Sequence, residues 1–226
     1  MTSQSTTEKK NIEAPERLDR RAILHELLNE RWSPRAFSEK QIESWNIVSL
    51  FEAARWTPSS ANEQPWTFIL VSNEETETYS AFLESLSEGN RRWAGAAPLL
   101  VLGVAKLTYE RTGRSNRHAW YDLGQSVANL TVQASSVGLA VHQMGGFDVE
   151  RVRGLFSIPE GYEPVVVLAI GYADGASKLP ADLQQRERAP RSREPLEKFV
   201  FTKQWGTPSP YVLTQSPFLN TVPSKN

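Results

Sequence analysis

The sequence of 226 residues contains no cysteine, and this absence excludes several kinds of chemistry at once. There can be no disulfide framework, no thiolate nucleophile and no iron–sulfur site. The first ten residues lack the apolar stretch of a secretory signal, and no apolar run is long enough to span a bilayer. The formal net charge of −1 gives no long-range attraction to nucleic acid or anionic membranes. We therefore expect a soluble, cytoplasmic protein that binds neither nucleic acid nor membrane.

Several catalytic motifs are missing as well. The dinucleotide fingerprint G-x-G-x-x-G and the P-loop are absent, and so is the nucleophile elbow G-x-S-x-G. The three histidines, His25, His118 and His142, are isolated from one another, so no metal site is predicted. Asp122 could act as a general acid, but a carboxylate that stabilises the start of a helix is the simpler interpretation. A nicotinamide nucleotide, if one is used, is not expected to sit in a Rossmann crevice.

The most informative stretch is the proline loop, residues 57–66, which joins a predicted helix to a predicted strand. Pro58 and Pro65 stiffen its backbone and donate no hydrogen bonds. Short neutral donors and acceptors lie between them, at Ser59, Ser60, Asn62 and Gln64. Such a loop suits the flat edge of an uncharged heterocycle with carbonyl and imide groups. A turn whose side chains bond to their own backbone is the alternative.

The remaining pattern predicts a polar, disordered extension over residues 1–16 and a single domain over residues 17–226. Predicted helices begin near Leu18, after a capping box at Ser38 and Gln41, near residues 74 and 119, and after an N-cap at Asp148. The helix that follows Ser38 should bury Trp45 and Val48. Predicted strands cover residues 66–71, 98–104, 139–144 and 164–171, and the last is apolar throughout and so expected to be covered on both faces. Residues 108–118 are expected to form a mobile loop.

Two features of this pattern concern packing, within the fold or against a second copy of the chain. The longest predicted helix, from about residue 119 to 137, has an apolar face that includes Trp120. It also has a second face of small residues, at Gly124 and Ala128, against which another helix could pack, so we expect it at the centre of the fold or in a subunit interface. The tail from residue 204 to 226 is proline-rich but carries apolar side chains such as Trp205. We expect that tail to wrap a neighbouring subunit.

Arginines and glycines supply the other candidate binding residues. Arg31 and Arg35 flank Ser33, and a guanidinium group matches the geometry of a phosphate. Arginines from residues 186–193 could join them, although cations at a helix end have a simpler role in stabilising its last turn. Gly145 and Gly146 would let the backbone approach a ligand closely, as paired glycines in ordinary turns also would.

Taken in order, four motifs resemble the FMN-dependent nitroreductase family. They are Arg31-x-Ser33-x-Arg35, Pro58-Ser59-Ser60-x-Asn62-x-Gln64-Pro65-Trp66, Gly145-Gly146-Phe147 and Arg193-x-Pro195-Leu196. The resemblance extends from about residue 20 to 205. It implies an α+β fold with a central mixed β-sheet flanked by helices. It also implies an obligate homodimer built on the long helix, with FMN in each of two interface pockets.

The resemblance also implies roles for single residues. Arg31 and Arg35 would face the phosphate and ribityl chain with help from Ser33, and Arg193 would bind the phosphate. The proline loop would line the flavin from the opposite subunit through Pro58, Ser59, Ser60, Asn62 and Gln64, with Asn62 reaching the ring or the substrate. Gly145 and Gly146 would lie near the reactive N5 edge. No lysine adjoins Arg193, and residues 142–144 depart from better-known branches of the family.

The implied reaction transfers a hydride from NADH or NADPH to the flavin and then to an electron-poor acceptor, such as a nitroaromatic or a quinone. One shared pocket predicts ping-pong kinetics, and no side chain is needed as a nucleophile. Another flavin reaction on the same scaffold is the alternative: dehydrogenation, reductive dehalogenation or flavin breakdown. A non-catalytic flavin-binding protein is the third possibility. The physiological acceptor and the choice between NADH and NADPH stay open.

Overall fold

The computed structural model describes residues 24–213, which form two compact units. The first unit comprises residues 30–188, and the second comprises residues 24–29 together with residues 189–213. The expected extension over residues 1–16, the helix start near Leu18 and the end of the tail lie outside the described residues. The single domain over residues 17–226 stays a prediction.

The first unit is built on a four-stranded sheet. Its strands are β1 (Trp66–Ser72), β2 (Leu99–Lys106), β3 (Ala140–Met144) and β4 (Tyr162–Gly171), in the spatial order β1-β2-β4-β3. All four expected strands are confirmed, but the expected mixed pairing is wrong, because each of the three ladders between these strands is antiparallel. Strands β2 and β3 run in the same direction. Strand β4 lies between them and pairs with both, so no parallel pair forms among the named strands.

Seven α-helices accompany the sheet within residues 24–213. They are α1 (Glu26–Glu30), α2 (Ser44–Arg55), α3 (Thr76–Glu84), α4 (Glu88–Ala94), α5 (Ala119–Ser136), α6 (Val149–Leu155) and α7 (Ala181–Arg188). The α+β class is confirmed, whereas α4 and α7 were not predicted, since neither shows a clear apolar period. None of these helices combines the length and apolar content needed to cross a membrane.

Apolar side chains cover both faces of the sheet. Along β2, Leu100 and Leu102 pack into a cluster with Phe82 of α3. The alternate residues, including Val101, pack into a second cluster with Leu123 of α5. Burial of a leucine side chain contributes roughly 2 kcal/mol to stability. The central strands are therefore held between two helical layers, which confirms the double-sided burial expected from the apolar run in β4.

Two predicted helix starts have different outcomes. Asp148 caps α6, because its Oδ1 accepts the N–H of Arg151 at 3.0 Å, as expected. The predicted capping box at Ser38 is wrong, and α2 begins only at Ser44. The N–H of Ser38 donates to the carbonyl of Tyr172 at 2.9 Å. This bond holds residue 38 in an extended stretch beside the sheet, where it cannot start a helix.

The buried face of α2 also differs from the prediction. Leu50 and Ala54 are buried, whereas Trp45 is 65% and Val48 is 67% exposed. Successive residues of a helix are rotated by about 100°, so neighbouring positions in the sequence face different directions. Helix α5 packs on the side of Ala54, whose carbonyl accepts the hydroxyl of Ser126 at 3.2 Å. On α5 itself, Trp120 is 59% exposed and does not belong to the core.

The second unit consists of short irregular segments. Arg191 donates from Nη2 to the carbonyl of Asn29 at 2.7 Å and so joins its two parts. Phe201 bridges Pro208 in antiparallel fashion, and its ring contacts Trp205 with centroids 5.4 Å apart. Trp205 is nevertheless 92% exposed. The unit thus presents a large apolar side chain to its surroundings.

Candidate functional site

The arginine segment, residues 31–37, links α1 to α2 in a non-helical conformation. Two of its predicted binding residues bond to each other, since Nη1 of Arg31 donates to Oγ of Ser33 at 3.2 Å. Arg35 is half-buried, and its Nη1 lies 3.5 Å from Oε2 of Glu187. The segment therefore brings together two predicted residues, Arg31 and Ser33, while the third is paired with a carboxylate.

Glu187 is the main functional candidate that the sequence did not reveal. Its side chain is only 3% exposed. Its Oε1 accepts the backbone N–H of Arg35 at 2.8 Å and that of Ala36 at 3.3 Å. One buried carboxylate thus serves two backbone donors and a guanidinium group, and it holds the arginine segment in place. It lies 152 residues from Arg35 in a polar stretch, so no local pattern could have identified it.

His142 supports the same segment from β3. Its Nδ1 lies 2.9 Å from the carbonyl oxygen of Pro34, and since a carbonyl only accepts, Nδ1 carries the proton. The ring packs against Trp93 with centroids 4.3 Å apart. The pKa of His142 is lowered to about 4, mainly by burial; the bond to Pro34 opposes this shift, and the charge of Arg35 adds to it. The imidazole is therefore neutral at pH 7.

The proline loop is strained. Ala61, Asn62 and Gln64 have φ angles of 55°, 55° and 49°, the left-handed region that residues with a Cβ rarely adopt. Each such residue costs roughly 1 kcal/mol or more and persists only where the surroundings enforce it. The N–H of Gln64 donates to Oγ of Ser59 at 2.9 Å, so the alternative of a self-bonded turn holds for that residue. The side chains of Asn62 and Gln64 are exposed.

A second buried carboxylate anchors this loop. Asp122, in the first turn of α5, is 2% exposed, and its Oδ2 accepts the N–H of Ser60 at 3.1 Å. The hydroxyl of Ser60 lies 3.2 Å from that of Tyr109. Because Asp122 is buried and bonded to the backbone, its position favours an anchoring role over that of a general acid.

The two glycines after β3 have different surroundings. A Cβ on Gly146 would lie 2.7 Å from Oγ of Ser87 and 3.0 Å from Nδ2 of Asn90, so a side chain there would have to displace these two groups at the start of α4. A Cβ on Gly145 would meet nothing within 4 Å, and this residue is exposed. Gly145 is thus the member of the pair whose backbone is open to a ligand.

Arg193, the last predicted phosphate ligand, belongs to the second unit. It is exposed, and its Nη1 donates to the carbonyl of Ser192 at 2.7 Å. Its convergence with Arg31 and Arg35 stays a prediction.

A family model described as the nitroreductase family matches residues 28–172. The chain belongs to the nitroreductase family. The matched range contains the arginine segment, the proline loop and the glycine pair, so the family predicted from these motifs is confirmed, and with it the oxidoreductase class.

Solved structures and curated relatives agree with this assignment. The chain is similar to a crystal structure described as an oxidoreductase containing FMN, with a TM-score of 0.77 and 31% identity, covering 82% of this chain and 94% of that one. A Stenotrophomonas maltophilia protein, named for NADH dehydrogenase and NAD(P)H nitroreductase activity, is 25% identical over 70% of this chain and 89% of its own length. An iodotyrosine deiodinase from Haliscomenobacter hydrossis is 25% identical over 79% of this chain and 91% of its own length.

Proposed function

We propose that this protein is an FMN-dependent oxidoreductase that takes electrons from NADH or NADPH. It would pass them to a small electron-poor acceptor, such as a nitroaromatic or a quinone. The observation that carries the proposal is that two motifs of the family, the arginine segment and the proline loop, are each held by a buried carboxylate. The similarity to an FMN-containing oxidoreductase and to an NAD(P)H nitroreductase supports the cofactor and the donor. The lack of cysteine favours a cytoplasmic location.

The donor set of the first unit fits FMN. Arg31 and Arg35 provide charged N–H groups for a phosphate, and Ser33 provides a hydroxyl. The exposed amides of Asn62 and Gln64 can pair with carbonyl and imide groups, which neutral side chains recognise without charge. The exposed backbone at Gly145 leaves room for a flat ring. Pro58 and Ser59 would line the same ring, and Arg193 would complete the phosphate contacts.

When bound, FMN supplies the hydride transfer. The contribution of the chain would be to bind and orient: the guanidinium groups of Arg31 and Arg35 would neutralise the phosphate, and the rigid proline loop would hold the ring. Asp122 and Glu187 hold those two elements through backbone N–H groups, which keeps them in position before any substrate arrives. A single pocket that serves donor and acceptor in turn predicts ping-pong kinetics.

The proposed active form is a homodimer. Helices α2 and α5 expose Trp45, Val48, Trp120 and Tyr121, each at least 59% accessible. A monomer rarely presents so many large apolar side chains on packed helices without a partner for them. Gly124 on α5 is also exposed with open space around it, so a second helix could approach closely. Exposed Trp205 agrees with the proposed contact of the C-terminal tail with the other subunit.

The binding step can be tested with Arg31→Ala. We expect the affinity for FMN to fall about tenfold to a hundredfold, the value of a charge-assisted hydrogen bond. The affinity for riboflavin, which lacks the phosphate, should stay within about twofold. Fluorescence titration of the apoprotein with each ligand measures both constants. Arg55→Ala is the matched control, because that exposed arginine pairs with Glu52 on α2. A colourless wild-type protein that binds no FMN would contradict the proposal.

The reaction itself can be tested by anaerobic mixing with NADPH or NADH. We expect either donor to bleach the flavin and a quinone or nitroaromatic to restore its colour.

Reductive dehalogenation is a second candidate, favoured by the similarity to an iodotyrosine deiodinase. In that case a halogenated phenol would reoxidise the flavin with release of halide, and nitroaromatics would react slowly. Tight FMN binding without any turnover would indicate a non-catalytic flavin protein.

A further inference from the structure

The segment expected to be a mobile loop forms a hydrogen-bonded hairpin, here called the arginine hairpin (residues 107–117). The N–H of Tyr109 donates to the carbonyl of Arg114 at 2.8 Å, and the N–H of Asn116 donates to that of Leu107 at 2.7 Å. Gly113 closes the turn with a φ of 65°. These bonds fix the direction in which the hairpin presents its side chains.

The hairpin carries a local excess of positive charge. Arg111, Arg114 and Arg117 are all exposed. The one carboxylate of the hairpin, that of Glu110, pairs with Lys106. Among residues 24–213 no carboxylate forms an ion pair with any of the three arginines. In a chain with a net charge of −1, such a cluster creates a positive field confined to one place.

Two contacts attach the hairpin to the proline loop. The hydroxyl of Tyr109 lies 3.2 Å from that of Ser60. The carboxylate of Glu63 accepts the backbone N–H of Glu110. The positive field is therefore tied to the same loop that exposes the amides of Asn62 and Gln64. The three arginines are thus carried by a hairpin that is bonded directly to the loop proposed to line the flavin.

We propose that the arginine hairpin recognises an anionic group, a carboxylate, sulfonate or phosphate, on the molecule that exchanges a hydride with the flavin. This inference rests on the proposed function. The fork of a guanidinium group pairs with such an anion in bidentate fashion. The combined field also raises the local concentration of anions and their association rate, and it does nothing for neutral molecules. The anion belongs either to the acceptor or to the donor. In the donor it would be the 2′-phosphate of NADPH.

Matched pairs of ligands test the proposal in the FMN-loaded protein. The acceptor pair is 4-nitrobenzoate and 4-nitrobenzamide, which differ mainly in charge, and the donor pair is NADPH and NADH. We expect kcat/KM for the anionic member of at least one pair to fall about tenfold in the triple variant R111Q/R114Q/R117Q, while the other member changes less than about twofold. Raising the ionic strength should weaken the same preference in the wild type.

The control K40Q/R55Q/R151Q removes the same charge from exposed positions elsewhere in the first unit. It should leave both preferences unchanged. Loss of the nitrobenzoate preference assigns the anion to the acceptor, and loss of the NADPH preference assigns it to the donor. Absence of any preference for charge in the wild type, or its survival in the triple variant, would overturn the proposal.

Calorimetric titration with 4-nitrobenzoate and 4-nitrobenzamide gives the same answer without turnover. If the flavin is not reduced, the proposed function fails, and the binding preference still decides the role of the hairpin. Equal binding of the two nitro compounds by the wild type excludes the acceptor as the source of the anion, and equal binding of NADP⁺ and NAD⁺ as well would overturn the proposal, whatever the enzyme does.

Discussion

The arginine segment and the proline loop are both surface stretches of the first unit, but they are held in opposite ways. The arginine segment has no residue in the left-handed region. Buried polar side chains support it from a distance, with three contacts from Glu187 and one from His142. The proline loop has three strained residues. Its one anchor from a distant carboxylate is the bond from Ser60 to Asp122.

The difference shows two physical routes to a pre-organised site. A relaxed backbone can be held by hydrogen bonds to buried polar groups. Removal of one partner then leaves the other unpaired, and the protein loses much of its stability. A strained backbone stores energy locally and depends on stiff residues and on the packing around it. The arginine segment should therefore lose much stability when one of its buried partners is removed. The proline loop should gain stability when its backbone strain is relieved.

The largest expected effect concerns the two carboxylates. Glu187→Ala should lower the free energy of unfolding by about 2–4 kcal/mol, because it leaves two backbone N–H groups without a buried acceptor and removes the partner of the half-buried Arg35. Asp122→Ala should cost about 1–2 kcal/mol, since it frees a single donor. Urea denaturation of both variants measures the two values.

The conservative variant Glu187→Gln separates the two roles of this side chain. Its amide oxygen can still accept the N–H groups of Arg35 and Ala36, so it should restore most of the lost stability. Without the negative charge next to Arg35, the affinity for FMN should equal or exceed that of the wild type. Equal losses from Glu187→Ala and Asp122→Ala would remove the contrast between the two regions.

The next effect is a pH dependence caused by His142. The pKa of this histidine is about 4 in the folded protein, against 6.5 as its ordinary value. Below pH 6.5 the unfolded chain binds a proton that the folded chain does not, so stability falls as the pH decreases from 6.5 to 4. The full loss is about 3 kcal/mol. Above pH 6.5 the contribution is constant. Thermal unfolding between pH 4 and pH 8 measures the change.

His142→Asn isolates this contribution, because an amide has no proton to gain in that range. The variant should be less stable at pH 8, where it loses the packing on Trp93, and its stability should fall less between pH 6.5 and pH 4. Parallel curves for wild type and variant would show that another group causes the acid sensitivity.

The smallest effect is expected in the proline loop. Ala61→Gly should leave stability unchanged or raise it by up to about 1 kcal/mol, because glycine adopts a φ of 55° without strain. The control Ala53→Gly, inside α2, should lower stability by about 1 kcal/mol. Differential scanning calorimetry can resolve both. A clear loss in Ala61→Gly would mean that the Cβ of this residue makes a needed contact.

Local patterns predicted the elements that depend on nearby residues. Alternation and apolar content located all four strands, the 3.6-residue period located α5, and the Asp148 cap was correct because a cap acts within three residues. The capping box at Ser38 failed because a backbone bond to Tyr172, far away in the sequence, competes with it. Trp45 and Val48 were predicted to be buried but are exposed, since apolarity alone does not show which side chains the rest of the chain covers.

The sequence by itself determined the family and the candidate residues, because motif order and residue chemistry are written along the chain. Only the tertiary structure decided the strand order, the antiparallel pairing and the two buried anchors. Glu187 reaches Arg35 across 152 residues, and Asp122 reaches Ser60 across 62. Such pairs leave no periodic signal, since a hydrogen bond depends on the distance between atoms and not on their separation along the chain.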